Sequence, residues 1–182
     1  SLWDEAIGSI NGYVSALEDP DTQVYLAVFD SLSYDVLREC KAMDWDAVLP
    51  SEVAPRGSTP LLAAATKIIT LAQEANADRT IIVIMTDGYE NNSRGVTTAS
   101  VSAKIKVVEA RGWEVVFLGA NFSQVTDSAA TFGGDFNKTV NFAKGNMLRG
   151  MLDLSAKSCA YAATGVSINY SEAERTILGN AQ

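Results

Sequence analysis

Two short motifs carry hydroxyl and carboxylate side chains in a pattern typical of a site for a hard cation. The first covers residues 57–59 (Gly-Ser-Thr), and the second covers residues 86–88 (Thr-Asp-Gly), directly after the most apolar run of the chain. Mg²⁺ prefers oxygen ligands of this kind, takes one or two carboxylates and keeps several waters. The candidate metal ligands are therefore Thr59 and Asp87, and an open coordination position would accept the carboxylate of a partner.

Each of the two candidate ligands also has a purely structural interpretation. Thr59 precedes a proline, and a threonine N-cap with proline at the first helical position is a common start of a helix. Asp87 would cap the sharp turn that Gly88 permits at the end of a strand. The local pattern alone does not decide between these roles and a metal site.

The elements that must position both motifs alternate between amphipathic helices and apolar strands. Apolar residues at helical spacing predict helices over residues 2–17, from 60 to 72, from 98 to 108, over 123–131 and over 145–162. Apolar runs predict strands at 24–29, 34–40, 81–85, 115–118 and 139–142, the second of them antiparallel to the first. This order predicts an α/β fold, a mostly parallel sheet with one antiparallel edge strand and helices on both faces.

The carboxyl edge of such a sheet is where ligands bind. The strand ends that meet there are followed by Asp30, Ser31, Gly88 and Asn121, and Ser58 lies in the adjoining glycine-hydroxyl loop. Because these residues would surround the two candidate ligands, we expect them to form the rim of a partner-binding surface.

Composition excludes several classes of site. The 182 residues contain no histidine and two cysteines, and the formal net charge is −8. These counts exclude a histidine-based catalytic triad and a tetrahedral zinc site of sulfur and nitrogen ligands. The acidic charge argues against nucleic-acid binding, and no apolar run reaches the roughly 18 residues of a membrane span. We expect one domain over residues 1–182, with free cysteines, in a reducing cytoplasmic compartment.

Residues 57–61 (Gly-Ser-Thr-Pro-Leu) and 84–88 (Ile-Met-Thr-Asp-Gly) resemble the second and third motifs of the von Willebrand factor A (VWA) family. In that family these motifs supply the threonine and the aspartate of a metal-ion-dependent adhesion site. Short segments further along, as far as Asn121, resemble a bacterial and phage VWA subgroup. The resemblance implies a three-layer, Rossmann-like VWA fold that binds Mg²⁺, Mn²⁺ or Ca²⁺ through Thr59 and Asp87.

The family's first metal motif, Asp-x-Ser-x-Ser at the end of its first strand, does not occur in this chain. Because the first helix resembles the segment after that strand, the resemblance implies that the central strand of the sheet is missing. The gap would leave apolar side chains uncovered and buried backbone groups unpaired, at roughly 1–3 kcal/mol for each group. We therefore expect that the sequence begins after the strand, that cleavage removed it, or that a second chain or peptide supplies it. In this form the metal site is partial, and the ion can be absent.

The resemblance implies a protein-binding module rather than an enzyme, in which the cation engages an Asp or Glu side chain of a partner protein. Two alternatives stay open: a magnesium-dependent hydrolase or phosphotransferase on the same sheet, and a scaffold with a vestigial metal site. A flat metal-bearing surface would favour partner binding, whereas a deep pocket with a raised-pKa carboxylate would favour catalysis.

Overall fold

The computed structural model of the chain describes residues 1–55, 57–87, 90–91, 93–120 and 133–179. Within these ranges the helices are α1 (Leu2–Ser15), α2 (Leu61–Ala75), α3 (Thr98–Ala110), α4 (Met147–Thr164) and α5 (Glu172–Gly179). The strands are β1 (Gln23–Phe29), β2 (Tyr34–Lys41), β3 (Ile81–Thr86), β4 (Glu114–Ala120) and β5 (Thr139–Phe142). The helix predicted over 123–131 lies outside the described residues.

The strands form two separate sheets. β1 and β2 pair antiparallel around a tight turn, with Phe29 opposite Tyr34. β3, β4 and β5 form a parallel sheet in that order. The parallel strands and the antiparallel hairpin confirm the predicted α/β class, but the hairpin forms a sheet of its own rather than the antiparallel edge of the parallel sheet.

Helices cover both faces of the parallel sheet, as the continuous apolar strands predict. Alternate residues of β3 point to opposite faces, so Ile82 and Ile84 pack in one core with α2 and α3. Ile81, Val83 and Met85 pack on the other face, against the core that α1 and α4 share with β4 and β5. The sheet therefore separates two apolar cores.

The side chains that anchor these cores are those expected from the pattern. Trp113 and Phe117 are each 1% exposed, and the three inward residues of α3 are fully buried. Thr97 caps α3 by accepting a hydrogen bond from the Ser100 backbone N–H at 3.2 Å. Full burial of side chains of this size contributes roughly 1.5–3 kcal/mol each.

The last helix, α5, is absent from the sequence-based prediction, which ends the helical pattern with α4. Its start nevertheless carries a local signal, a capping box in which Ser171 and Glu174 each bind the other's backbone N–H. α5 closes the end of the sheet, because the Ala143 N–H after β5 donates to the Leu178 carbonyl at 2.9 Å. A polar composition hid this helix, since only Leu178 of its residues is buried.

We expect the docking of α5 to depend on pH through the Glu174 carboxyl. A hydrogen bond from Lys157 at 2.8 Å, together with the N–H of Ser171, lowers the pKa of the Glu174 carboxyl to about 2. A lowered folded-state pKa adds stability above the unfolded value near 4.3, and this stability is lost as the pH falls towards 2. We expect Glu174→Gln to remove that pH dependence at a cost of about 0.5 kcal/mol, because the side chain is 38% exposed and solvent screens the pair. Amide exchange of α5 between pH 5 and pH 2 tests this, and equal pH dependence in both proteins would contradict it.

Candidate metal and partner site

The carboxyl ends of β1 and β3 meet at the start of α2. Phe29, at the end of β1, lines a cleft of about 390 Å³ together with Pro60 and Ala63 from the first turn of α2. The segment after β3 reaches the same turn, where Glu90 accepts a hydrogen bond from the Leu62 N–H at 2.6 Å. The carboxyl ends of β1 and β3 therefore both lie beside the start of α2, next to the loop that carries Thr59.

Asn91 ties the Thr59 loop to the segment that follows Asp87. The Thr59 N–H donates to Asn91 Oδ1 at 2.8 Å, and the Asn91 N–H donates to the Thr59 carbonyl at 3.2 Å. Thr59 is half-buried and Asp87 is exposed. Among the described residues, neither the Thr59 hydroxyl nor the Asp87 carboxylate is taken up by another hydrogen bond, so both oxygens are available to a ligand.

The N-terminus of α2 is capped by side chains that are distant in the sequence, and not by the residues that directly precede the helix. Thr59 is not the N-cap: the helix begins at Leu61, Pro60 occupies the cap position, and the Thr59 side chain makes no capping bond. Glu90 accepts from the Leu62 N–H, and the Ser93 hydroxyl accepts from the Ala63 N–H at 2.9 Å. The prediction of a threonine cap was wrong because these distant side chains satisfy the free N–H groups first.

Glu90 is the central residue of this cap. Its carboxylate also accepts from the Ser93 N–H at 2.6 Å and from the Ser93 hydroxyl at 2.7 Å. A carboxylate at a helix N-terminus is further stabilised by the helix dipole. Because both oxygens of Glu90 accept these bonds, it acts as a positioning residue for the loop rather than as a metal ligand.

The residues that we expected at the rim of the partner-binding surface lie in different environments. Ser31 is exposed and lies against the loop of residues 57–59, since a Cβ at Gly57 would come within 2.7 Å of its hydroxyl. Gly57 has φ +52, a left-handed conformation that disfavours any side chain there. Ser58 is half-buried in the same loop. Gly88 and Asn121 lie outside the described residues.

Asp30 has a structural role in the turn after β1. It is 7% exposed, and its carboxylate accepts from the Leu32 N–H at 2.6 Å and from the Ser33 N–H at 3.0 Å. These bonds form the turn that leads from β1 into β2. Asp30 therefore shapes the wall of the neighbouring cleft rather than projecting from the rim.

The donors at this edge fit a hard cation in kind but only partly in number. Thr59 and Asp87 provide hydroxyl and carboxylate oxygens, which suit Mg²⁺ or Mn²⁺ better than a soft metal. Within the described part of the chain, no group of three or more acidic or cysteine side chains is arranged to hold an ion. A cation here would therefore depend on waters or on oxygens from another segment to complete its coordination.

Carboxyl groups with raised pKa values lie away from this edge. Burial raises the pKa of Glu109, which sits near Lys138 at the amino edge of the sheet. Burial likewise raises the pKa of Asp153 on α4, which packs on the face opposite α2. These two groups therefore belong to other parts of the fold than the Thr59 loop, whereas the buried Asp30 carboxyl lines the cleft beside that loop.

Comparison with known proteins adds no family to this picture. Neither a protein-family model nor a curated protein matches the sequence. In the ranges that the structure describes, no helix has both the length and the apolar character needed to cross a membrane.

Proposed function

We propose that the chain is a protein-binding module of the VWA type, with a divalent cation at the carboxyl edge of its sheet. The observation that carries the proposal is the pair of hydrogen bonds between Thr59 and Asn91. These bonds tie the loop of the hydroxyl ligand to the segment of the carboxylate ligand, Asp87. Two motifs that lie 28 residues apart in the sequence thereby share one edge.

Each residue would have a distinct role in binding. The Thr59 hydroxyl would hold the ion directly, and Asp87 would hold it directly or through a water. Ser31 and Ser58 would contact the partner around the ion. The cation would supply the positive charge that attracts an Asp or Glu side chain of the partner. The chain itself is acidic and has no cluster of basic residues that could attract such a side chain.

Two features favour binding over hydrolysis or phosphotransfer. Asp87 is exposed, and neither Thr59 nor Asp87 lines the neighbouring cleft of about 390 Å³. A general acid or base at the candidate site would instead be a buried carboxyl beside the ion.

The proposal includes the VWA architecture and a cytoplasmic location. The order β2-β1 and β3-β4-β5, with helices on both faces, fits a VWA sheet in which a strand between β1 and β3 is missing. Cys40 and Cys159 are both free and half-buried, which suits a reducing compartment.

Titration calorimetry with Mg²⁺ or Mn²⁺ tests the metal site. We expect Thr59→Ala and Asp87→Ala to weaken binding at least tenfold each, because each removes an oxygen ligand from a small set. A matched control is Asp78→Ala, which removes an exposed carboxylate at the amino edge, before β3. Equal affinity in all four proteins would remove the site, and no binding by the parent chain at millimolar ion would favour a vestigial one.

A further inference from the structure

The cleft beside the Thr59 loop has the size of a site for a small molecule. Its volume of about 390 Å³ lies near the lower end of the range for such sites, roughly 300–1,000 Å³. One wall is the start of α2, and another is the turn that leads from β1 into β2. Because the start of α2 is capped and the turn is held by hydrogen bonds of its own, both walls are formed before a ligand binds.

Much of the lining of this cleft is apolar. On the helix side the lining residues stand at positions 60, 63, 64 and 67, a spacing of three and four residues that places them on one helical face. The first three of these positions are Pro60, Ala63 and Ala64, and the turn adds Phe29 and Leu32. None of these five side chains has a polar atom, so this part of the cleft suits an apolar group.

Two cationic side chains line the same cleft. Lys67 belongs to the second turn of α2, and Arg94 directly follows Ser93, whose hydroxyl accepts a hydrogen bond from the Ala63 N–H at 2.9 Å. Ala63 and Lys67 are about 6 Å apart along the helix axis, so the fold brings together two cations that are 27 positions apart in the sequence. In the described ranges neither cation forms an ion pair.

The ring of Tyr34 holds Lys67 at the cleft. The Lys67 ammonium lies 5.1 Å from the centroid of this ring, within the range of a cation–π contact. Tyr34 begins β2 and pairs with Phe29 of β1, so the hairpin fixes the position of the ring. A cation that is already held in place loses less conformational entropy when it binds a ligand.

The charges of the described lining residues favour a ligand with a single negative charge. Asp30 also lines the cleft, but its carboxylate is buried and accepts the N–H groups of Leu32 and Ser33. The two cations and this carboxylate leave one net positive charge. Lys67 and Arg94 are both exposed, so their charge faces the open side of the cleft. A dianion would exceed this charge and would be repelled more strongly by the acidic chain.

We propose that this cleft binds a small organic monocarboxylate that has an apolar body. The carboxylate lies between Lys67 and Arg94, which bind it through charge-assisted hydrogen bonds. The apolar body lies against Phe29, Pro60 and Ala63. This binding goes beyond the proposed recognition of a protein partner and needs no metal ion, because the candidate metal ligands do not line the cleft.

Titration calorimetry with phenylacetate in the presence of EDTA tests the site without any contribution from a metal ion. We expect a Kd of about 1 mM, because ligands of this size bury little surface. Benzyl alcohol lacks the charge and acetate lacks the ring, so each should bind about tenfold more weakly. No binding at about 10 mM phenylacetate, or equal affinity for benzyl alcohol, would overturn the proposal.

Substitution of the two cations locates the carboxylate. We expect Lys67→Met and Arg94→Met each to weaken phenylacetate binding about fivefold, a modest loss because both cations are exposed to solvent. The matched control is Lys106→Met, which removes an exposed lysine of α3 outside the cleft and should leave the affinity unchanged. In the parent chain, phenylacetate should shift the amide resonances of residues 29–34 and 60–67. An equal loss of affinity in all three variants would show an effect of net charge alone and would contradict the site.

Two further probes test the chemical class of the ligand. N-acetylglutamate amide presents the carboxylate of a protein side chain without a ring, and we expect it to bind about as weakly as acetate. If it bound as tightly as phenylacetate, the cleft would take an acidic side chain of a protein, and the assignment of a small apolar carboxylate would be wrong. Phenyl phosphate carries a second negative charge, and tighter binding of this probe than of phenylacetate would contradict the preference for a single charge.

Discussion

Replacing Lys138 by methionine lowers the free energy of unfolding by about 3–5 kcal/mol, the largest loss that we expect from a single substitution in this chain. The Lys138 ammonium lies 2.9 Å from Glu114 Oε2 and 3.9 Å from Glu109 Oε1. The side chains of Lys138 and Glu114 are 10% and 6% exposed. The substitution therefore leaves the Glu114 carboxylate buried without its cation, with bonds only from Ser167 and the Ile168 N–H among the described residues.

Urea unfolding at pH 7 measures this effect, with Lys41→Met as the matched control. Lys41 forms an even shorter pair with Asp21 at 2.6 Å, but the two side chains are 45% and 69% exposed, so solvent screens the pair and its loss should change the stability little. The double variant Lys138→Met/Glu114→Leu should recover much of the stability, because it removes the stranded charge as well. A Lys138→Met variant as stable as Lys41→Met would show that the buried pair is not the cause.

The strands could be predicted because a strand that is buried on both faces appears in the sequence as a nearly continuous apolar run. The apolar run that forms β3 packs in two cores, as a strand covered on both faces does. Helix α3 could be predicted equally well, because its N-cap Thr97 and its buried apolar residues lie within one short stretch of sequence. α5 was missed because its stability comes from contacts with β5 and α4, and its capping box is the only local signal.

Only the types of the candidate ligand residues could be chosen from the sequence. Thr59 and Asp87 stand out because a hydroxyl precedes a predicted helix and a carboxylate follows a predicted strand. The contacts of the Thr59 loop and the start of α2 with Asn91, Glu90 and Ser93 join segments about 30 residues apart and depend on the folded arrangement. For the same reason the sequence left both roles open for Thr59, and only the fold shows that it is not the cap of α2.

We expect Glu90→Ala to lower the free energy of unfolding by about 2–3 kcal/mol, because three hydrogen bonds end on this one carboxylate. The loss leaves the Leu62 N–H at the start of α2 without its acceptor and releases Ser93 from its turn. The control is Glu74→Ala, an exposed carboxylate in the last turn of α2, where the helix dipole disfavours an acid. That variant should match the parent within about 0.5 kcal/mol or be slightly more stable.

Glu90→Ala also distinguishes a positioning role for Glu90 from a role as a ligand at the proposed metal site. If Glu90 holds the Thr59 loop against the segment after Asp87, its loss should speed exchange of the Thr59 amide, which donates to Asn91, while the fold persists. Metal affinity should then fall in Glu90→Ala and return in part in Glu90→Gln, whose amide oxygen can still accept a backbone N–H. A ligand carboxylate would not be rescued in this way, because a neutral amide is a much weaker ligand for Mg²⁺. Unchanged exchange at Thr59 in Glu90→Ala would mean that the loop is held by other contacts and that Glu90 serves the helix alone.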